Sequence, residues 1–298
     1  MTLRSVTVRV PATSANLGSG FDCLGLALEL CGTVSVRRLA DAPPPVPRRS
    51  AARLVLEAFQ DLYQAAGVDA PPLAVDYDGA VPLARGLGAS AVLRVAGLLA
   101  ANAFLGEPFS REQLLTRAAT LERHADNAAP ALFGGLQVIV RSEDGGTLHH
   151  VPVSLPSGLR AVLFIPDFQM PTQKSRGVLP ANLSREDAVF NLGRTALLVG
   201  ALAAGQLDLL DEATRDRLHQ PARSRLFPAM QSIFQAARSA GALCAYLSGG
   251  GSTICALAES NEQGIAQAMT QAALHCEVSG ATIITRPSAV GARAVGSS

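Results

Sequence analysis

An α+β fold in two domains is what this sequence predicts, on three observations. Strand-like and helix-like segments follow one another without strict βα alternation, which argues against a doubly wound sheet. The 298 residues exceed an ordinary domain, and a division near 150, written 1–152 and 153–298, leaves two halves of usual size. Hydrophobic residues make up 48% of the chain against 16% charged, which supplies a large core and excludes wholesale disorder.

Val6, Val8 and Val10 alternate with polar residues, as do Val34 and Val36, so both segments read as half-exposed strands. Between them lie a Gly/Ser/Asn-rich loop, Pro11 to Gly20, and an apolar stretch, Phe21 to Leu30. Residues 41–50, DAPPPVPRRS, read as an exposed polyproline connector. A helix over 51–66 carries Leu54, Ala58 and Leu62 on one face, and a strand at Leu73–Tyr77 leads into the loop Val81–Ala89. Ala91–Leu105 is apolar and helix-forming almost throughout, hence a buried helix. The next helix opens on Ser110-Arg-Glu-Gln113, a capping-box pattern, and runs to Arg123. Strands follow at Leu136–Val140, His149–Val153 and Leu159–Ile165. A helix from Ser184-Arg-Glu-Asp187 to Ala204 comes next, then one near 225–240, a strand–turn–strand over 243–257, a helix at 261–274 and a strand near 281–286.

Composition removes several function classes. Formal net charge is +1 and aromatics are 4%, so neither nucleic acid nor an anionic membrane is expected as a partner. Lys174 is the only lysine, so the Gly-Lys-Ser/Thr unit of a Walker A loop is missing, and no His-Arg-Asp or Asp-Phe-Gly of a protein kinase occurs. The five cysteines form no Cys-x-x-Cys pair and no zinc spacing with histidine, and read as buried, reduced thiols. The N-terminus alternates like a strand rather than a signal peptide, and Arg94 and Asn102 interrupt the best apolar run, so a cytoplasmic location is expected. Anions must be handled by backbone amides, hydroxyls and arginine.

Three glycine-rich loops look chemical. The first to consider is Pro82-Leu83-Ala84-Arg85-Gly86-Leu87-Gly88-Ala89-Ser90-Ala91-Val92, which runs into the apolar helix. Glycines let the backbone approach a ligand, and a helix start offers unpaired N–H groups and a positive dipole end, a seat for a phosphate chain that needs no lysine. Alone, the loop fits this reading and a plain turn with Ser90 as helix cap equally well. Pro11-Ala-Thr-Ser-Ala-Asn16-Leu-Gly-Ser-Gly20-Phe-Asp22 gathers an amide, hydroxyls and a carboxylate, enough to hold an ammonium or an alcohol, and alone is better read as an Asx/Ser-stabilised turn. Leu247-Ser-Gly249-Gly250-Gly251-Ser-Thr253 holds more glycine than a hairpin needs. None fits Gly-x-Gly-x-x-Gly or a hydrolase elbow.

In order and wording these loops resemble the GHMP kinase family, and VPATSANLGSGFDCLGLAL resembles its homoserine kinase branch in particular. So do His124-Ala-Asp-Asn127-Ala-Ala-Pro-Ala-Leu-Phe-Gly134-Gly135, Thr172-Gln-Lys-Ser-Arg176 and Asp216-Arg-Leu-His-Gln-Pro-Ala-Arg223; together the likeness spans residues 6–257. It implies an N-terminal α+β domain and a ferredoxin-like C-terminal domain, with ATP, Mg2+ and the substrate in the cleft between them. The implied activity is phosphorylation of the side-chain hydroxyl of L-homoserine, and a homodimer is common in the family. Carried over, residues 82–92 and Gly249–Gly251 wrap the triphosphate, while Ser90 and Glu122 hold magnesium. Asn16 and Asp22 hold the amino end of homoserine, and Arg176 and Arg223 clamp its carboxylate. Asn127 lies near the attacking hydroxyl; His124 reads equally as catalytic or as a hydrogen-bonded structural residue. No base–lysine pair is visible, which fits a loose transition state and proton loss to the phosphate itself.

Four departures from the family pattern stand out. Ala89 replaces a serine, and Gly250 and Ser252 replace alanine and proline, which should loosen the third loop. Arg53 stands where an asparagine near the adenine is common, and the Glu122-to-His124 spacing is short. Two other readings remain at this stage: a GHMP kinase for another small alcohol, and an inactive relative that only binds nucleotide or metabolite.

Overall fold

Twenty helices and strands and one short 3-10 turn make up the computed structural model, which describes residues 3–41 and 50–297. The polyproline connector expected at 41–50 lies almost wholly outside the described residues.

The first half contains β1 (Ser5–Ala15), β2 (Leu24–Arg38), α1 (Ala51–Ala65), β3 (Leu73–Tyr77), α2 (Ala89–Phe104), α3 (Arg111–Glu122), α4 (Ala128–Phe133), β4 (Leu136–Arg141) and β5 (Leu148–Val153). The second holds β6 (Arg160–Pro166), α5 (Thr172–Gly177), α6 (Arg185–Ala204), α7 (Leu210–Ala213), α8 (Gln220–Arg223), α9 (Met230–Ser239), β7 (Cys244–Leu247), β8 (Ile254–Ala258), α10 (Glu262–His275), β9 (Gly280–Thr285) and β10 (Arg293–Ser297). Two sheets result. One runs β10-β1-β2-β4-β5, with β3 on the other end of β2; the other runs β7-β8-β6-β9. All pairs of the second sheet are antiparallel, and β6-α9-β7-β8-α10-β9 is the split βαβ order of a ferredoxin-like domain. The expected division at 152/153 falls at the end of β5, and β10 lies across it, on the first sheet.

The loop expected from Pro11 is instead strand as far as Ala15, and the apolar stretch and the Val34–Val36 strand are one strand, β2. The register of β1 against β2 shifts between Pro11 and Ala12, where proline lacks the N–H that continues a ladder. Beyond that bulge β1 is buried on both faces, so alternation disappears from its sequence.

The helices α1 to α4 cover one face of the first sheet and close a core around Val8, Val36, Phe59 and Leu93. A second core, with Leu24, Leu28, Leu163, Leu198 and Tyr246, joins the two sheets to α6. A third packs α9 and α10 on the far face of the second sheet. By length and composition α6 could cross a membrane, yet Leu198 and Leu202 pack into the inter-sheet core and Asn191 and Thr195 bond the carbonyl of Ser19. The best apolar run was expected in the α2 region, whereas by length and composition it is α6 that qualifies. α3 carries the expected reciprocal cap, with the Ser110 hydroxyl accepting from Gln113 N–H and the Gln113 side chain accepting from Ser110 N–H.

Candidate active site

Three loops converge between the sheets on a cleft of about 620 Å³, part of it open to solvent. Loop A (residues 16–23) joins β1 to β2, loop B (78–88) precedes α2, and loop C (248–253) joins β7 to β8. Backbone bonds stitch them together: Thr13 N–H donates to Leu87 O at 3.1 Å, Gly249 N–H to Ala15 O at 3.0 Å and Thr253 N–H to Arg85 O at 2.9 Å. Ser248 adds its hydroxyl to Gly86 O at 2.7 Å.

Loop B ends in Gly88 at φ +66°, so α2 starts from a left-handed residue and no side chain caps it. A Cβ on Gly88 would overlap Thr13 Oγ1 and stand 2.9 Å from Asn127 Oδ1, so only glycine fits. The first N–H groups of α2 therefore have no capping side chain at the cleft, where the helix dipole is positive. Ala84, Gly86, Gly88, Ala89 and Ser90 line the cleft, as do Gly249, Gly250 and Gly251. Leu87, Ala91 and Val92 are buried in the cores instead. Pro82 and Leu83 do not reach the cleft lining, and Arg85 donates to the carbonyls of Pro166 and, at 2.6 Å, Asp167, where it fastens loop B to the second domain.

Ser90 Oγ donates to Glu122 Oε1 at 2.5 Å, and Glu122, nearly buried, also pairs with Arg94. Among the described residues no group of three or more His, Cys, Asp or Glu could enclose a metal. Two hard oxygens at the mouth of α2 are what a magnesium ion shared with phosphates and water needs from the protein.

Asp126 organises the next wall. Its Oδ1 lies 2.7 Å from His124 Nδ1 and accepts from Asn127 N–H at 2.9 Å and Asn127 Nδ2 at 3.2 Å. Thr13 Oγ1 donates to Asn127 Oδ1 at 2.8 Å, so that amide is held from both sides. Burial works to raise the Asp126 carboxyl, but the His124 bond and charge outweigh it and hold the group below 3.8. Burial likewise lowers His124, and Asp126 with Glu122 more than offsets that.

The opposite wall is basic. Arg176, on α5, grips Asp22 with both terminal nitrogens at 3.0 and 2.5 Å. Arg223, on α8, is 2% exposed and donates to Ser175 O, Gly249 O and His219 Nδ1. Both guanidiniums sit 5.5 Å from the centre of the Phe21 ring. Burial, followed by the neighbouring charge of Arg176, pushes Arg223 down to about 10, still charged at neutral pH. Two close cations ask for an anion. Asn16 lines the same cleft and is held by both loops, donating to Gly249 O at 2.9 Å and accepting from Asp22 N–H at 3.0 Å, which leaves its amide one further hydrogen and one further lone pair.

Asn16, Asp22, Glu122, His124, Asn127, Arg176 and Arg223 thus share one cleft. Arg53 does not belong to it; its side chain turns along α1 to Glu57 at 2.7 Å. At the two departures in loop C, Ser252 Oγ donates to Phe168 O and Ser175 Oγ to Gly250 O, both at 2.7 Å. Sequence reasoning missed Thr13, Phe21, Asp126, Met170 and Thr172, which also shape the site. Thr13, Phe21, Asp126 and Thr172 lie inside the quoted motifs without a role assigned to them, and only Met170 left no signal.

Residues 53–135 match the N-terminal domain of GHMP kinases, and residues 198–276 match their C-terminal domain. Homoserine kinase of Moorella thermoacetica is 41% identical over 273 residues, 89% of this chain and 91% of that protein. The Microchaete diplosiphon homoserine kinase is 43% identical over 90% of each chain. The crystal structure of homoserine kinase from Cytophaga hutchinsonii superposes with a TM-score of 0.87 at 30% identity, covering 98% of this chain and 97% of its own. A mevalonate diphosphate decarboxylase from Staphylococcus aureus, at 16% identity and a TM-score of 0.70, shares the fold.

Proposed function

This chain belongs to the homoserine kinases of the GHMP kinase family, and on that premise we infer that it transfers the γ-phosphoryl group of ATP to the side-chain hydroxyl of L-homoserine. The observation that carries the substrate is the pairing of Asp22 with Arg176 beside Arg223. A zwitterion entering there puts its ammonium on Asp22 and its carboxylate on the two arginines, so each end replaces half of an existing ion pair. Asn16, fixed by loops A and C, adds the second lone pair of its amide oxygen to the hold on the ammonium.

At the other end, the N–H groups of Ala89 and Ser90 and the glycines of loops B and C take the phosphates. Ser90 and Glu122 would hold magnesium, which supplies charge neutralisation to the phosphates when bound. Asn127, fixed by Thr13 and Asp126, and His124, fixed by Asp126, stand where the hydroxyl enters. A loose transition state asks mainly for alignment and charge, so the hydroxyl proton leaves on the transferred phosphate. His124→Gln then costs about 10-fold in kcat; a loss of about 10³-fold or more would make His124 the base. The homodimer rests on the family resemblance, and sedimentation of the purified protein checks it.

ADP release with L-homoserine, mevalonate, galactose or no acceptor tests the whole reading. Turnover only with homoserine supports it. Turnover with another alcohol would redirect the substrate, and none with any would leave an inactive relative.

A further inference from the structure

His219 is wholly buried beside the cleft, and the reading above gives it no part. Its ring nitrogens have unlike partners: Nε2 lies 2.7 Å from Gly18 O, and Nδ1 lies 2.9 Å from Arg223 Nη1. A carbonyl only accepts and a guanidinium only donates, so the ring is neutral, with its proton on Nε2 and a lone pair on Nδ1. Asp216 approaches Nε2 at 3.7 Å, but its oxygens accept from the N–H groups of Leu218, His219 and Gln220 and from the Asn191 amide. Asp216 therefore shapes the backbone that carries His219 and does not claim its proton.

The donor count on Arg223 shows what the ring does. Nη1 gives one hydrogen to His219 and the other to Gly249 O at 2.9 Å, and Nε gives its hydrogen to Ser175 O at 3.3 Å. A guanidinium has five N–H donors, so the two on Nη2 are the ones left for a ligand. Phe21 lies against His219, with ring centres 5.4 Å apart, and under Arg223, which blocks the swing of either group. On the far side, Gly18 belongs to loop A, which also carries Asn16 and Asp22.

We infer that His219 is a positioning residue for acceptor binding: its Nδ1 lone pair fixes which edge of Arg223 faces the cleft, and its Nε2–H ties that arginine to loop A. One imidazole thereby sets the spacing between the carboxylate and ammonium ends of the acceptor. The inference rests on the reading of Arg223 as a carboxylate ligand.

Steady-state kinetics on the full chain test it, with homoserine varied at saturating ATP and a thermal melt for every variant. His219→Ala should raise the KM for homoserine about 10-fold or more, with the KM for ATP unchanged and kcat within a few-fold. His219→Asn places an amide oxygen where Nδ1 stands and should recover most of that loss; His219→Gln, whose amide reaches the Nε2 position, should not. Adding His219→Ala to Arg223→Ala should change the KM no further than Arg223→Ala alone. Should His219→Ala fail to fold, the contrast between the Asn and Gln variants decides. Equal KM values for Asn and Gln, or an unchanged KM in His219→Ala, would overturn the inference while Arg223→Ala still raised the KM. An unchanged KM in Arg223→Ala would instead remove the clamp, and this inference with it.

Discussion

Replacing Gly88 by alanine puts the sharpest load on the account, because one methyl group reaches both the phosphate seat and Asn127. Gly88 sits at φ +66°, where an L side chain costs roughly 1–2 kcal/mol. The new Cβ would overlap Thr13 Oγ1 and lie 2.9 Å from Asn127 Oδ1, so the 2.8 Å bond between those two must break. Losing a buried hydrogen bond with a group left unpaired costs about 1–3 kcal/mol more. The sum, about 2–5 kcal/mol, lowers the melting temperature by roughly 3–8 °C for a chain of this size. A displacement of order 1 Å at Asn127 and at the first turn of α2 lowers kcat by about 100-fold. Gly106→Ala is the control: it has a similar φ of +82° and nothing within 4 Å of its Cβ, so it bears only the conformational cost. Calorimetry and ADP release read both variants. Equal melts and equal kcat for the two would refute the argument that the close approach of Thr13 and Asn127 to Gly88 builds the site.

Ser90→Ala removes one oxygen of the pair beside Glu122, and should lower kcat/KM about 10- to 100-fold and raise the magnesium concentration needed for half-maximal rate, with the melt unchanged. Wild-type rates across a magnesium titration would dismiss that role. Burial, opposed by Asp216 and aided by Arg223, holds His219 at about 4, below its ordinary 6.5. The unfolded chain then takes up a proton below about 6.5 that the folded chain refuses until about 4, so stability falls as pH drops through that window, by on the order of 3 kcal/mol. Urea midpoints from pH 7 to 4 should flatten over this range in His219→Asn; an unchanged slope would contradict the neutral ring. Ser110→Ala breaks the reciprocal cap of α3 and should cost about 1 kcal/mol, a drop of roughly 1–2 °C in melting temperature with kinetics untouched.

Much of this was legible because the rules involved are local. The Ser110 and Ser184 caps and the apolar run of α2 marked their helices within a residue or two. β2 was divided in the reading because Leu24–Leu28 is covered on both faces while Val34 and Val36 alternate, and one strand with two periodicities looks like two segments. The helices α5, α7 and α8 are four to six residues long, too short for a helical period to show. β10 is exposed along its whole length and holds to β1 through backbone pairing, so its side chains carry no pattern. The site divides in the same way. Glycines at left-handed or crowded positions announced the loops, whereas Thr13, Phe21 and His219 act through partners far away in the chain, 201 residues for His219 and Gly18. Only the folded chain brings those partners together.

The most direct measurement is a crystal structure of the protein with magnesium and a non-hydrolysable ATP analogue. The account predicts phosphate oxygens within hydrogen-bonding distance of main-chain N–H groups at Gly88–Ser90, with Ser90 and Glu122 facing the ion. A triphosphate seated away from the start of α2 would contradict it.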